Sequence, residues 1–383
     1  MEEKKYMGMD DMTVISGNNM AFLLGADKTP QQMVEFLKEG ARFRGFNDVL
    51  ERVYPGEDLA SKLAQGLSEL TGEEYGSISR KVRNWIKGQN MPKNRETLFQ
   101  ICFILGLDEA QAGLVLGTAS ETGIHYRNPE ELVYAYALRN GKSYEEAQHL
   151  KEEACRIYEE EVGKKGSGKK ETPVYTKQVR DTFCHVSCDE DLFEFFRKHS
   201  GELGILHETA YAKFTELLDY LQNPKGESGE PERKFTMEEV VRDYIRMNVP
   251  QTKKVSDYIL LQRLVKKYWP NESNLLNMRS RKEDVSRKVL ILLYLITEAF
   301  DGMEDGEEDE EYYLDDFEED EDSDIRLEIR FEKMNLFLDS YGMNLLDPGN
   351  PFDLLVLYAM KTQEGDFVSD RMEAVLSVLF DEE

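Results

Sequence analysis

Hydrophobic positions recur along the chain at steps of three and four rather than two. Leu59, Leu63, Leu67 and Leu70 form one stripe, Val240, Tyr244 and Met247 a second, and Ile259, Leu260 and Leu264 a third. That spacing places side chains on one face of an α-helix, and no stretch sustains the alternation of a strand, so the pattern predicts an all-α protein. Helix-start signals agree. Asn128-Pro129 sets a cap residue before a proline suited to a first turn. Ser143-Tyr144-Glu145-Glu146 and Thr236-Met237-Glu238-Glu239 read as capping boxes, in which a hydroxyl covers a free backbone N–H and a glutamate reaches back to the cap. Asn140-Gly141 reads as a helix stop.

Three stretches interrupt the helical pattern. Residues 163–173 (GKKGSGKKETP) and 223–233 (NPKGESGEPER) have the small, charged, proline-terminated composition of linkers. Residues 301–324 hold 16 acids and no base. The whole chain of 383 residues carries 48 Lys and Arg against 76 Asp and Glu, a net charge of −28, so removing the insert leaves −28 + 16 = −12. Such a balance excludes a protein that binds polyanions through its overall charge. The 40% of apolar residues is enough for packed cores and excludes global disorder. The opening MEEKKYMGMDDM is not a signal peptide, and the longest apolar run, Val289 to Ile296, is far short of a membrane span. Four cysteines, Cys102, Cys155, Cys184 and Cys188, do not make a disulfide scaffold. A cytoplasmic protein with no membrane association is expected.

The stretch that carries a function begins near Ser77. Arg80, Lys81, Arg83 and Asn84 alternate at helical spacing with Val82, Trp85 and Ile86, Gly88 ends the helix, and Pro92 marks a loop. Asn94 caps a new helix with Leu98, Ile101, Cys102 and Leu105 on its apolar side, ended by Gly106. Residues 77–97 hold six bases (Arg80, Lys81, Arg83, Lys87, Lys93, Arg95) against one acid, Glu96. A helix bearing Ser79, Arg80, Lys81, Arg83 and Asn84 suits the DNA major groove. Arginine pairs bidentately with guanine O6 and N7, and asparagine with adenine N6 and N7. Lys87, Lys93 and Arg95 are placed for phosphates, which position rather than specify.

This stretch resembles the Cro and lambda-repressor (XRE) type of helix-turn-helix domain in Trp85, Gly88, Pro92, Leu98, Leu105, Gly106 and Leu107. The resemblance implies a bundle of four or five helices over about 42–117, with a scaffold helix from about Asp58 to Thr71 and a recognition helix from about Ser77 to Lys87. Two features depart from the pattern. The turn Gly72-Glu73-Glu74-Tyr75-Gly76 is longer than expected, and no glutamine opens the scaffold helix; Glu73 and Glu74 also repel phosphate. The same residues read equally as ordinary bundle core with a solvated basic face. The segment Leu345 to Asp353 is similar to the tails of uncharacterised bacterial helix-turn-helix proteins. The expected organisation is an N-terminal segment (1–41), the helix-turn-helix domain (42–117), a helical hairpin (118–162), the linker (163–173), a helical domain (174–300), the acidic insert (301–324) and C-terminal helices (325–383).

Other chemistry falls short. Residues 163–170 approach a phosphate-binding loop, but Lys170 stands where a hydroxyl must hold magnesium. Cys184, His185, Cys188, His199 and His207 lack the paired spacings of a zinc site, and the acidic insert lacks the spaced ligands of a calcium loop. No nucleophile motif includes any of the five histidines. The expectation is therefore a non-enzymatic DNA-binding regulator with no cofactor or metal. Its C-terminal helices would form a homodimer or sense a protein partner, which the acidic insert could also engage. The alternative is a protein-interaction adaptor or antitoxin-like protein that engages a basic partner.

Overall fold

A computed structural model describes residues 13–120, 122–165, 174–204, 206–224, 233–250, 258–267, 269–297, 323–363 and 366–381. Among these there is no strand, and the protein is all-α. The caps form as the sequence predicts. Ser143 and Glu146 exchange backbone hydrogen bonds of 2.7 and 3.2 Å, and Thr236 and Glu239 do so at 2.8 and 3.2 Å. Asn128 accepts from Glu130 N at 2.9 Å, and Gly141 stops its helix at a φ of 64°.

The described residues divide into two compact units. One comprises Arg44–Thr209 with Leu338–Asn344. A single apolar core runs through it, from Phe46, Leu63 and Val82 through Ile101, Leu116 and Leu132 to Phe183 and Phe196. This division differs from the one drawn at the linkers. Helices Thr176–Phe183 and Asp189–His199 follow the expected linker, yet they bury Val179, Phe183, Leu192 and Phe196 in the core that precedes it. Tyr136 donates to Asp189 at 2.6 Å and Arg139 to the Cys184 carbonyl at 2.7 Å, tying these helices to the hairpin. The helix Tyr144–Lys165 also extends into the expected linker, whose residues 166–173 lie outside the described set. Residues 225–232 of the second linker and 301–322 of the acidic insert lie outside it too.

The other unit draws its described residues from 13–43, 210–337 and 345–381. Its centre is two apolar helices. Pro351–Met360 is buried along its whole length, and Arg287–Ile296 is buried from Arg287 through Leu295. The N-terminal helices join this unit. Lys361 Nζ donates to the carbonyls of Leu23 and Gly25 at 2.7 Å each, and Tyr358 donates to the Lys28 carbonyl at 2.9 Å. Burial pushes the Asp324 carboxyl up, but the hydrogen bond from Lys361 and that from Gly25 N more than offset this and hold it below the ordinary range. Arg287 forks onto Asp353 at 2.8 and 2.9 Å, and only 7% and 3% of the two side chains are exposed. Asp353 also accepts from Asp347 N at 2.9 Å.

Removing one partner of such a pair leaves a buried charge without its counter-ion. Asp353→Ala is expected to lower stability by about 3 to 5 kcal/mol, read from the midpoint of urea unfolding. A loss below about 1 kcal/mol would show that the pair does not organise this unit.

Candidate nucleic-acid interface

The helix Leu59–Thr71 buries Leu59, Leu63, Ala64 and Leu67. At Gly66 it lies so near the helix Arg95–Leu105 that an added Cβ would stand 2.7 Å from Ile104. The helix ends at Gly72, and the next begins at Tyr75. The turn is therefore Gly72, Glu73 and Glu74, shorter than the five residues the sequence suggested. Tyr75 and Gly76 belong to the first helical turn, because the Glu74 carbonyl accepts from Ser77 N at 3.0 Å and Ile78 N at 3.2 Å. Ser68 Oγ closes the turn on the Glu73 carbonyl at 2.7 Å. A turn of three to four residues is what a helix-turn-helix pair has.

The helix Tyr75–Ile86 buries Ile78, Val82 and Trp85. At 100° per residue the opposite face carries Gly76, Arg80, Arg83 and Lys87, with Asn84 beside them. Arg80, Arg83 and Lys87 are exposed, and Asn84 and Ser79 are half-buried. Arg83 Nε donates to the Ser79 carbonyl at 3.2 Å. Gly88 ends the helix at a φ of 66°, a left-handed conformation that glycine adopts without strain. Gln89 N then reaches the Asn84 carbonyl at 2.9 Å and Gly88 N the Trp85 carbonyl at 3.0 Å, which satisfies the last carbonyls. Lys93 is exposed in the loop that follows.

Two of the eight predicted side chains are otherwise engaged. Lys81 pairs with Glu73 at 2.7 Å, both about half exposed. Arg95 is drawn inward. Its guanidinium forks onto Glu131 at 2.6 Å through both Nε and Nη2, and reaches Ser120 Oγ at 2.8 Å and the Gly123 carbonyl at 2.7 Å. It is a structural tie, not a member of the basic face. Sequence spacing gave no sign of this, since Glu131 lies 36 residues on. Asn47 is the neighbour that sequence reasoning missed. Its Oδ1 would stand 3.0 Å from a Cβ at Gly88, at the end of the basic helix.

A second clamp holds the same end of the helix Arg95–Leu105. Glu96 accepts from Tyr134 at 2.8 and 3.0 Å and from the Tyr144 hydroxyl, while Gln148 and Lys151 donate to Tyr134 at 2.7 and 2.8 Å. Burial, followed by the hydrogen bond to Glu96, pushes Tyr144 up to about 12, and the same causes raise Tyr134. Both hydroxyls remain donors across the physiological range.

The remaining candidates stay apart. Cys188 Sγ caps the helix Asp189–His199 by accepting from Asp191 N at 3.5 Å, and Cys184 Sγ donates to the Asp181 carbonyl at 2.9 Å. His199 pairs with Glu202 at 3.0 Å, and His207 lies against His125 with ring centroids 4.0 Å apart. The described residues do not bring Cys184, Cys188, His199 and His207 into one ligand set. Residues 163–165 of the near-match to a phosphate loop are helical, and the rest of that stretch lies outside the described residues. No described helix is long and apolar enough to cross a membrane. Comparison with models of protein families, with curated proteins and with solved structures finds no significant match.

The two ion pairs should separate in their effect on stability. Glu131 is 8% exposed and Arg95 31%, so Glu131→Ala is expected to cost about 2 to 3 kcal/mol, less than a fully buried pair. Lys81→Ala should cost under about 1 kcal/mol. Equal losses in urea unfolding would contradict the structural role given to Arg95.

Proposed function

We propose that this chain is a non-enzymatic DNA-binding regulator of the helix-turn-helix class, with Tyr75–Ile86 as the helix that enters the major groove. One observation carries the reading. Arg80, Arg83 and Lys87 share the face opposite Ile78, Val82 and Trp85, on a helix that follows a three-residue turn. Arg80, Arg83 and Asn84 are the base-reading residues, and Lys87 and Lys93 the phosphate contacts. Ser79, at the flank of the helix, supports the groove contact. The net charge of −28 supports a second reading, an adaptor for a basic protein partner. In the favoured reading a homodimer places two such helices on half-sites about one helical turn apart.

Binding of the full-length chain to duplex DNA, followed by fluorescence anisotropy across a salt series, tests this. Arg83→Ala is expected to cost about 1 to 3 kcal/mol on the preferred site and to relax specificity there. Lys93→Ala should weaken all sequences alike and reduce the salt slope by about 0.9. Absence of salt-dependent duplex binding by the wild-type chain would overturn the reading in favour of the adaptor.

A further inference from the structure

The turn that opens the basic helix holds two acids, and the structure treats them differently. Glu73 is neutralised by Lys81 at 2.7 Å. Glu74 has no such role. It supports the helix through its carbonyl, and its side chain makes no capping hydrogen bond. Its carboxylate instead folds over Gly76, with Oε1 3.5 Å from the place a Cβ on that glycine would occupy. Gly76 lies four residues before Arg80 and seven before Arg83, on the same outward face. A carboxylate therefore stands at the leading end of the face that carries the arginines.

Resting on the assignment of Tyr75–Ile86 as a recognition helix, the geometry points to Glu74 as a specificity-determining residue that selects cytosine. The N-terminal residues of a recognition helix lie nearest the base edges. A carboxylate accepts hydrogen bonds and donates none, so it is repelled by phosphates and by guanine, whose major-groove edge shows only the acceptors N7 and O6. Thymine offers an acceptor and a methyl group. Adenine sets its N6 donor beside the N7 acceptor, which opposes the second carboxylate oxygen. Cytosine alone presents the N4 donor without an adjoining acceptor. The guanine paired with that cytosine presents O6 and N7, which suit Arg80 one turn along the same face. The acid thus converts an electrostatic liability into discrimination, because any other base leaves it desolvated and unpaired.

Selection of duplexes from a randomised pool by the full-length chain, by Glu74→Ala and by Glu74→Gln tests this directly. The wild-type chain should enrich cytosine at one position, and replacing it in the selected duplex should weaken binding about tenfold. Glu74→Ala should lose the preference at that position only. Glu74→Gln should move it toward adenine, which an amide pairs with bidentately. Identical preferences for wild type and both variants would overturn the role of Glu74 and leave the recognition helix intact. Failure of the wild-type chain to enrich any duplex would overturn both.

Discussion

The fork of Arg95 on Glu131 is the contact on which the basic face depends. Arg95 opens one helix and Glu131 lies in the first turn of another, Pro129–Arg139. The guanidinium also holds Ser120 and the Gly123 carbonyl, and Glu131 accepts from His125 N at 2.8 Å, so one pair fixes both helix starts and the segment that leads into the second. Neither ion can be left alone there without the cost of an unpaired buried charge. The helix that begins at Arg95 is in turn the surface against which Leu59–Thr71 packs at Gly66. That helix and its three-residue turn aim Tyr75–Ile86. The arginines on the outward face are positioned by a carboxylate they never touch.

For the proposed DNA site, the charge of the whole chain and the charge of the local face oppose each other. The chain as a whole is at −28, and a duplex approaching it meets repulsion. At physiological salt the Debye length is about 8 Å, so that repulsion is confined to near approach. In the proposed reading Arg80, Arg83, Lys87 and Lys93 would act within contact distance, where hydrogen-bond geometry decides the outcome. A DNA-binding protein of this net charge would gain little from electrostatic steering and would depend on direct complementarity to its site.

Local signals in the sequence were legible because their physics is local. The caps at Ser143, Thr236 and Asn128, the stop at Gly141 and the buried pair Val82 and Trp85 involve residues within four positions of each other, whereas Ile78 is buried where the sequence pattern names Ile86, which is only half-buried. The turn is shorter than the sequence suggests because Tyr75 and Gly76 lie in the first helical turn, where a glycine costs only about 1 kcal/mol. Arg95 was counted with the phosphate contacts because its partner is 36 residues away. The division into units was hidden for a related reason. A linker's composition marks where the chain is loosely held, but not which core the next helix joins, and Val179, Phe183 and Phe196 turn back to the core before it.

Methylation protection of guanine N7 gives the most direct test, because that atom lies in the major groove where the outward face is assigned to act. The full-length chain bound to its preferred duplex should protect guanines within the site, and the Arg80→Ala and Arg83→Ala variants should each lose protection at a single guanine while the rest of the footprint persists. A bound complex whose guanines are modified as fast as in free DNA would contradict the assignment of this helix to the groove.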